Sequence, residues 1–363
     1  MSYHLITTNQ QLNDYCSQID NNIDAIALDS EFVRTRTFYP QLGLIQLFDG
    51  KQTVLIDPLN ITDWQLFSAF INNPNIEKYF HACSEDIEVF CHQFSFVPTP
   101  ILDSQILASF LDNPLSAGYA TLVNKYMHIE LDKSETRTDW LQRPLSSKQC
   151  QYAANDVIYL LPLVNKLKAL LRDKGWLNAA YQECENAVKR RCEFIQADKA
   201  YLHIKNAWQL RGEQLSYLQK LASWRLNYAK QHDIALNFVV HEDVLWKLAR
   251  YRPTSLAELS ALGLRGKEVR LFGDLLLSIL LEEPSFIEPI DRIITYPDYK
   301  KWTTLIKESA HKIAQQTQLS NEILVSRRHI EQFIRWINSD KTGHAPDLLS
   351  GWRGKLFEPY LNL

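Results

Sequence analysis

Four carboxylates in this chain stand where they could hold cations. Asp29 and Glu31 close the apolar run Ile26-Ala27-Leu28. Residues two apart on a strand project from one face, so an extended backbone sets both acids side by side. Two such carboxylates repel each other unless a cation lies between them. Asp86 follows His81-Ala82-Cys83-Ser84-Glu85, in a stretch where Ile87, Phe90, Cys91 and Phe94 recur at helical spacing. It lies one turn before Phe90 and borders the buried face, whereas Glu85 and Glu88 point to solvent. Asp156 comes four residues after Tyr152, in a helical pattern whose core side carries Ala153, Val157, Leu160, Leu161 and Val164. Tyr152 and Asp156 therefore stack on one face beside the core. Aspartate has poor propensity in mid-helix, and its presence there asks for a reason.

Oxygen donors from three segments suit two hard divalent cations, Mg²⁺ or Mn²⁺. A pair of such ions about 3.5–4 Å apart clamps the attacking and leaving oxygens of a phosphodiester. Each segment alone is a weak signal, since an Asp-x-Glu also fits a solvated strand end. The order of the three is the stronger one.

The elements that must position these acids alternate between strand and helix. Ile23–Phe32, Leu42–Phe48, Thr53–Ile56 and Lys78–Ala82 read as strands. Trp64–Ile71, Ser84–Phe94, Ser104–Leu111 and Ser147–Leu171 read as helices, with Ser84 able to cap its own. This predicts an α/β domain with a mixed sheet flanked by helices, over residues 1–200. Beyond it only helical spacing remains, over Gln214–Gln231, Asp243–Ala249, Lys267–Leu281, Lys301–Thr317 and Arg327–Asn338. Pro284, Pro289 and Pro297 punctuate a linker. Two small all-α domains are expected, over 205–283 and 301–363, with the linker at 284–300. Gly263-Leu264-Arg265-Gly266-Lys267 recurs as Gly351-Trp352-Arg353-Gly354-Lys355, each copy preceded by an apolar pair and a helix, which points to duplication.

Residues 1–200 carry 17 Lys and Arg against 24 Asp and Glu, and residues 201–363 carry 22 against 18. An acidic front and a mildly basic back fit metal ligands in one part and polyanion contacts in the other. No apolar run approaches the ~18 residues of a membrane span, and the N-terminus lacks the pattern of a signal peptide. Six scattered cysteines without a Cys-x-x-Cys pair fit reduced thiols and a cytoplasmic location.

The order Asp-x-Glu, helical Asp, Tyr-x-x-x-Asp resembles the tyrosine-bearing branch of the DEDD 3′→5′ exonucleases. The flanks Ala27-Leu-Asp29-Ser-Glu31-Phe32, His81-Ala-Cys-Ser-Glu-Asp86-Ile-Glu-Val-Phe90, Leu131 to Trp140, and Tyr152-Ala-Ala-Asn-Asp156-Val157 are similar to the ribonuclease D family. The helical half resembles two HRDC domains, the second more divergent. The resemblance spans nearly the whole chain and implies an RNase H-like exonuclease domain followed by two HRDC domains. It further implies Mg²⁺ or Mn²⁺ dependence and trimming of RNA 3′ ends, tRNA precursors and other small structured RNAs above all. By the same resemblance Asp29, Glu31 and Asp156 hold a first metal. Asp29 also contacts a second, Asp86 acts partly through water, and Tyr152 positions the attacking water.

Other residues invite two readings. Arg34, Arg36, Phe38 and Tyr39 follow Glu31 and could meet phosphate and stack on a terminal base, or form a solvated loop. Lys133, Arg137 and Trp140 lean toward substrate contact on the resemblance, although Trp140 also suits a core. Asp103 is expected to cap the helix that follows rather than to bind metal. Arg265 and Lys267 sit at a turn whose free N–H groups suit a phosphate, or simply a tight turn between helices. Two further functions stay open on the residues alone. A 3′→5′ DNA exonuclease would use the same metal chemistry, and an RNA-binding adaptor would keep the fold without the reaction.

Overall fold

The computed structural model describes residues 3–19, 23–131, 138–193 and 195–361. These fall into two compact units. One comprises residues 1–33, 41–192 and 293–363, and the other residues 34–40 and 193–292.

Among the described residues of the first unit, six strands form one sheet: β1 (His4–Ile6), β2 (Ala25–Val33), β3 (Gln41–Phe48), β4 (Thr53–Ile56), β5 (Glu77–Phe80) and β6 (Ile101–Asp103). Their order is β1-β4-β3-β2-β5-β6. Strand β3 runs antiparallel to both its neighbours, and the remaining pairs are parallel. The sheet is mixed, as its sequence pattern predicts, and both its faces are covered. Alternation along β2 sends Ile26 and Leu28 into a core with Leu12, Phe67 and Phe90, and Ala27 into another with Val157 and Leu163. The covering helices are α1 (Asn9–Gln18), α2 (Gln65–Ile71), α3 (Ser84–Phe94), α4 (Ser104–Ser109), α5 (Tyr119–Met127), α6 (Ser147–Ile158), α7 (Leu160–Asp173) and α8 (Leu177–Arg191).

The single helix expected over Ser147–Leu171 is two. Helix α6 starts on a capping box in which Ser146 Oγ accepts from Gln149 N–H and Gln149 Oε1 accepts from Ser146 N–H. It ends at Ile158, and α7 begins at Leu160. Pro162 has no N–H to donate to the Ile158 carbonyl, and its ring crowds that carbonyl, so the chain breaks just upstream. Ser84 is likewise the first residue of α3 and not its cap. The N–H groups ahead of α3 go instead to Asp103, whose carboxylate accepts from Ala82, Cys83 and Gln105. Asp103 thus caps α4 as expected and also holds Ala82, whose φ of 56° is costly for a residue with a Cβ.

The second unit is helical: α9 (Glu213–His232), α10 (Leu236–Val239), α11 (Glu242–Tyr251), α12 (Leu256–Ala261) and α13 (Gly266–Leu281). Leu215, Leu218, Leu221, Leu245, Leu248, Leu259 and Leu276 form its core. Segment 34–40, between β2 and β3 in the chain, belongs to this unit. Ala235 N–H donates to the Arg36 carbonyl (2.8 Å) and Tyr39 N–H to Asp233 Oδ1 (2.9 Å).

The chain returns to the first unit with α14 (Tyr299–Thr317), α15 (Asn321–Leu324), α16 (Arg327–Asn338) and α17 (Gly351–Leu361). Both helical stretches run long helix, one-turn helix, helix, short helical turn, closing helix, and Val240 and Val325 each leave the one-turn helix in extended conformation. The matching pentapeptides nevertheless differ in structure. In the first, Gly263 makes the turn (φ 112°) and Gly266 opens the helix. In the second, Gly351 opens the helix (φ 55°) and Gly354 lies inside it. Arg353 is consequently buried, with Nη1 on Glu183 (2.5 Å) and Nη2 on the Ile323 carbonyl (2.8 Å). Trp352 meets Phe110 and Trp176, and residues from Ile293 to Leu361 share one core with α4, α7 and α8. Among the described residues no helix is long and apolar enough to cross a membrane.

Candidate active site

Strand β2 delivers Asp29 and Glu31 to the sheet face covered by α6. That helix rests on Leu44 and Leu55 through Cys150 and Ala153, which aims Asp156 at the strand. Carboxylate oxygens of Asp29, Glu31 and Asp156 lie within 4.8 Å of one another. Asp86 approaches from the first turn of α3, with 7% of its surface exposed, and Ser30 Oγ donates to its Oδ1 (2.5 Å). The four acids expected from sequence thus meet in one place, three tightly and Asp86 beside them. The Tyr152 hydroxyl donates to the Asp156 carboxylate.

The electrostatics are those of crowded, desolvated acids. Burial above all, then the charges of Asp86, Asp156 and Glu31, pushes Asp29 well above the usual carboxylate range. Burial followed by Asp156 and Asp86 lifts Glu31 to about 9. Burial lifts Asp156 to about 7 against the pull of the Tyr152 hydrogen bond, and Asp86 to about 6 against that of Ser30. Protonation or a bound cation would relieve this crowding. An all-oxygen donor set of this charge fits hard divalent cations and not zinc's usual nitrogen and sulfur ligands.

The surrounding segments are fixed by neighbours with no catalytic part. Trp140 is core, 3% exposed, packed with Leu44, Leu55 and Tyr152 and so closed to substrate. Gly43 is required there, because a Cβ would stand 2.7 Å from the Trp140 carbonyl oxygen. Arg143 ties the segment down through Asp57, the Trp140 carbonyl and the Gly43 carbonyl. Lys133 and Arg137 lie outside the described residues. Arg34 and Tyr39 belong to the segment counted with the second unit. Arg265 donates from Nε to Glu268 (2.8 Å) at the start of α13, and Lys267 is exposed.

Sequence reasoning missed three residues. Ser30, between the two strand acids, holds Asp86. Tyr119, whose hydroxyl donates to the Asn155 carbonyl (3.1 Å), is raised well above its ordinary pKa by burial and then by Asp156 and Asp29. Gln46 faces Asp29 across the β2–β3 pair. The polar residue inside Asp-x-Glu and a glutamine in the apolar run Leu42–Phe48 were the available signals.

Three family models match the chain: 3′-5′ exonuclease over residues 3–172, HRDC domain over 214–280, and ribonuclease D C-terminal HRDC domain over 297–361. Ribonuclease D of Serratia proteamaculans is 51% identical over 362 residues, covering 98% of this chain and 97% of that protein. This chain belongs to the ribonuclease D family. Ribonuclease D of Escherichia coli K12 is 47% identical, with 100% of this chain and 98% of that protein covered. The crystal structure of E. coli RNase D, described as an exoribonuclease involved in structured RNA processing, superposes with a TM-score of 0.95 at 47% identity, over 100% of this chain and 98% of that one. The chain is therefore a 3′→5′ exoribonuclease, a hydrolase of phosphodiester bonds. Its family relies on divalent metal ions, and the acidic trio is the matching feature here.

Proposed function

We propose that Asp29, Glu31, Asp86 and Asp156 hold two divalent cations, Mg²⁺ or Mn²⁺, and that Tyr152 positions the water that attacks the terminal phosphodiester. The observation carrying this reading is the approach of the Asp29, Glu31 and Asp156 oxygens to within 4.8 Å of one another. When bound, the cations would supply Lewis-acid stabilisation of the phosphate and a water of lowered pKa. Asp29 and Glu31, on neighbouring positions of one strand face, orient their oxygens rigidly. Ser30, between them in the strand, holds Asp86 through its hydroxyl. The Tyr152 hydroxyl, anchored on Asp156, can also accept from a water and fix its direction of approach. No strong protein base is required.

The RNA enters by a free 3′ end and leaves as 5′-mononucleotides. Precursor tRNA and other small structured RNAs in the cytoplasm are the proposed substrates. The basic balance of residues 201–363 supports the helical half as the part that holds them, with Arg265 and Lys267 at phosphates. Arg34 and Tyr39 are proposed as further RNA contacts, a cation for phosphate and a ring for a base. The test is full-length protein with 5′-labelled RNA and DNA of equal sequence, each with Mg²⁺, Mn²⁺ or chelator. Stepwise shortening of RNA from the 3′ end, lost in chelator and blocked by a 3′-phosphate, is expected. Internal cuts, or equal activity in chelator, would refute the reading.

A further inference from the structure

Gln46 lies near the middle of β3 with its side chain wholly buried, 0% exposed. Neither its carboxamide nitrogen nor its oxygen has a hydrogen-bond partner among the described residues. The β2–β3 register sets Gln46 directly opposite Asp29, and the β3–β4 register sets it opposite Leu55. Directly opposed residues share a sheet face, with Cβ atoms about 4.5–5.5 Å apart. The side chain therefore rises on the face that carries the acids, flanked by Asp29 on one side and Leu55 on the other. The cluster closing this face is apolar: Leu44, Leu55, Trp140, Cys150 and Ala153.

A carboxamide offers two donors and an acceptor, and burying such a group unpaired is costly. A methionine or leucine would fill the same space without that cost, so packing does not explain the glutamine. The polar group its register brings within reach is the Asp29 carboxylate. We propose that Gln46 is a positioning residue for Asp29: its Nε2–H group, unpaired in this structure, turns to the neighbouring Asp29 carboxylate when cation binds and holds it in the liganding orientation. The inference rests on the metal-binding role of Asp29 proposed above. A donor behind a liganding carboxylate fixes its rotamer and keeps one oxygen turned to the metal, and loss of such support commonly costs 10–100-fold in metal affinity.

The test uses full-length protein and Mn²⁺ alone, with binding followed by electron paramagnetic resonance or calorimetry and thermal melting followed in chelator. Gln46→Met should raise the Mn²⁺ dissociation constant by roughly 10–100-fold, while the metal-free melting temperature stays level or rises. In an Asp29→Asn background the same change should add no further loss of affinity, because the group it acts on is gone. A packing role predicts the reverse: a lower metal-free melting temperature with Mn²⁺ affinity kept. That result, or a full additional loss in the Asp29→Asn background, overturns the inference. Should Gln46→Met fail to fold, Gln46→Leu carries the same expectations, and failure of both to fold counts for the packing role. The metal reading is judged separately, since it fails if Asp29→Asn binds Mn²⁺ as the unaltered protein does.

Discussion

The Tyr152 hydroxyl donates to the carboxylate of Asp156, one turn further along α6, and this bond opposes the burial that raises the acid. Tyr152→Phe removes the bond and leaves the ring. Asp156 then takes up its proton more readily, so a higher pH is needed to ionise it. Hydrolysis should slow by roughly 10–10³-fold, as loss of one positioned polar group does, and the rising limb of the pH–rate profile should move upward. Unchanged kcat and an unshifted limb would leave Tyr152 with a packing role only.

Asp29→Asn, Glu31→Gln, Asp86→Asn and Asp156→Asn should each abolish cleavage, because each removes charge that the cations need but keeps side-chain size. Stability without metal should hold or rise. The raised values near 9, 7 and 6 for Glu31, Asp156 and Asp86 mean that the folded chain binds more protons than the unfolded one above about pH 4. Metal-free stability therefore falls as pH climbs from about 4 toward 9, and the amide variants flatten that fall. Melting curves in chelator from pH 5 to 8.5 check the sign. A wild-type melting temperature that climbs steadily across this range would contradict it.

The pair Arg353–Glu183 joins α17 to α8 inside the first unit, with side chains 4% and 8% exposed. Arg353→Met leaves Glu183 buried with only Arg190 at 3.2 Å. About 3–5 kcal/mol of stability should be lost, the usual cost of breaking a buried pair from one side. Adding Glu183→Gln should restore part of it. Denaturant titration of the single and double variants measures both, and a single variant as stable as wild type would rule the pair out as a structural tie.

Gly351 combines a φ of 55° with a neighbour, the Gln182 amide, that a Cβ would approach to 2.3 Å. Gln182 Oε1 also accepts from Trp352 N–H (3.0 Å). Gly351→Ala should lower stability by more than the roughly 1 kcal/mol that the backbone conformation alone costs, and Gln182→Ala in the same chain should recover the steric part. Additive losses from the two changes would disprove the clash.

Lys267→Ala should weaken RNA binding across sequences. It should also flatten the slope of log affinity against log salt by roughly 0.7–0.9 for each phosphate left without its cation. Arg265→Ala should do less, because its guanidinium is already engaged by Glu268. Filter binding over a salt series distinguishes the two, and a larger effect at Arg265 would reverse their assignment.

Long amphipathic elements were readable from residue pattern. Strands β2, β3 and β4 and helices α3, α13 and α16 stand within two residues of where the pattern places them, because each carries enough apolar residues at one period to declare it. Strands β1 and β6 were missed, being three residues long. Helix α8 was missed because its buried face combines Ala179, Ala180, Cys184 and Val188 with the charged Glu183, a set that carries little periodic apolar signal.

What the sequence by itself determined is the chemistry: acids at i and i+2 on a strand, one acid beside a helical core face, and Tyr152 one turn before Asp156 follow from backbone geometry alone. The tertiary structure alone decided which groups those acids meet. Ser30 reaches Asp86 over 56 positions of chain, Gln46 opposes Asp29 through strand register, and Arg353 finds Glu183 across 170 positions. Local spacing cannot report such encounters. They arise when burial of apolar faces brings distant segments together, and the polar groups carried along must then pair with whatever lies nearest.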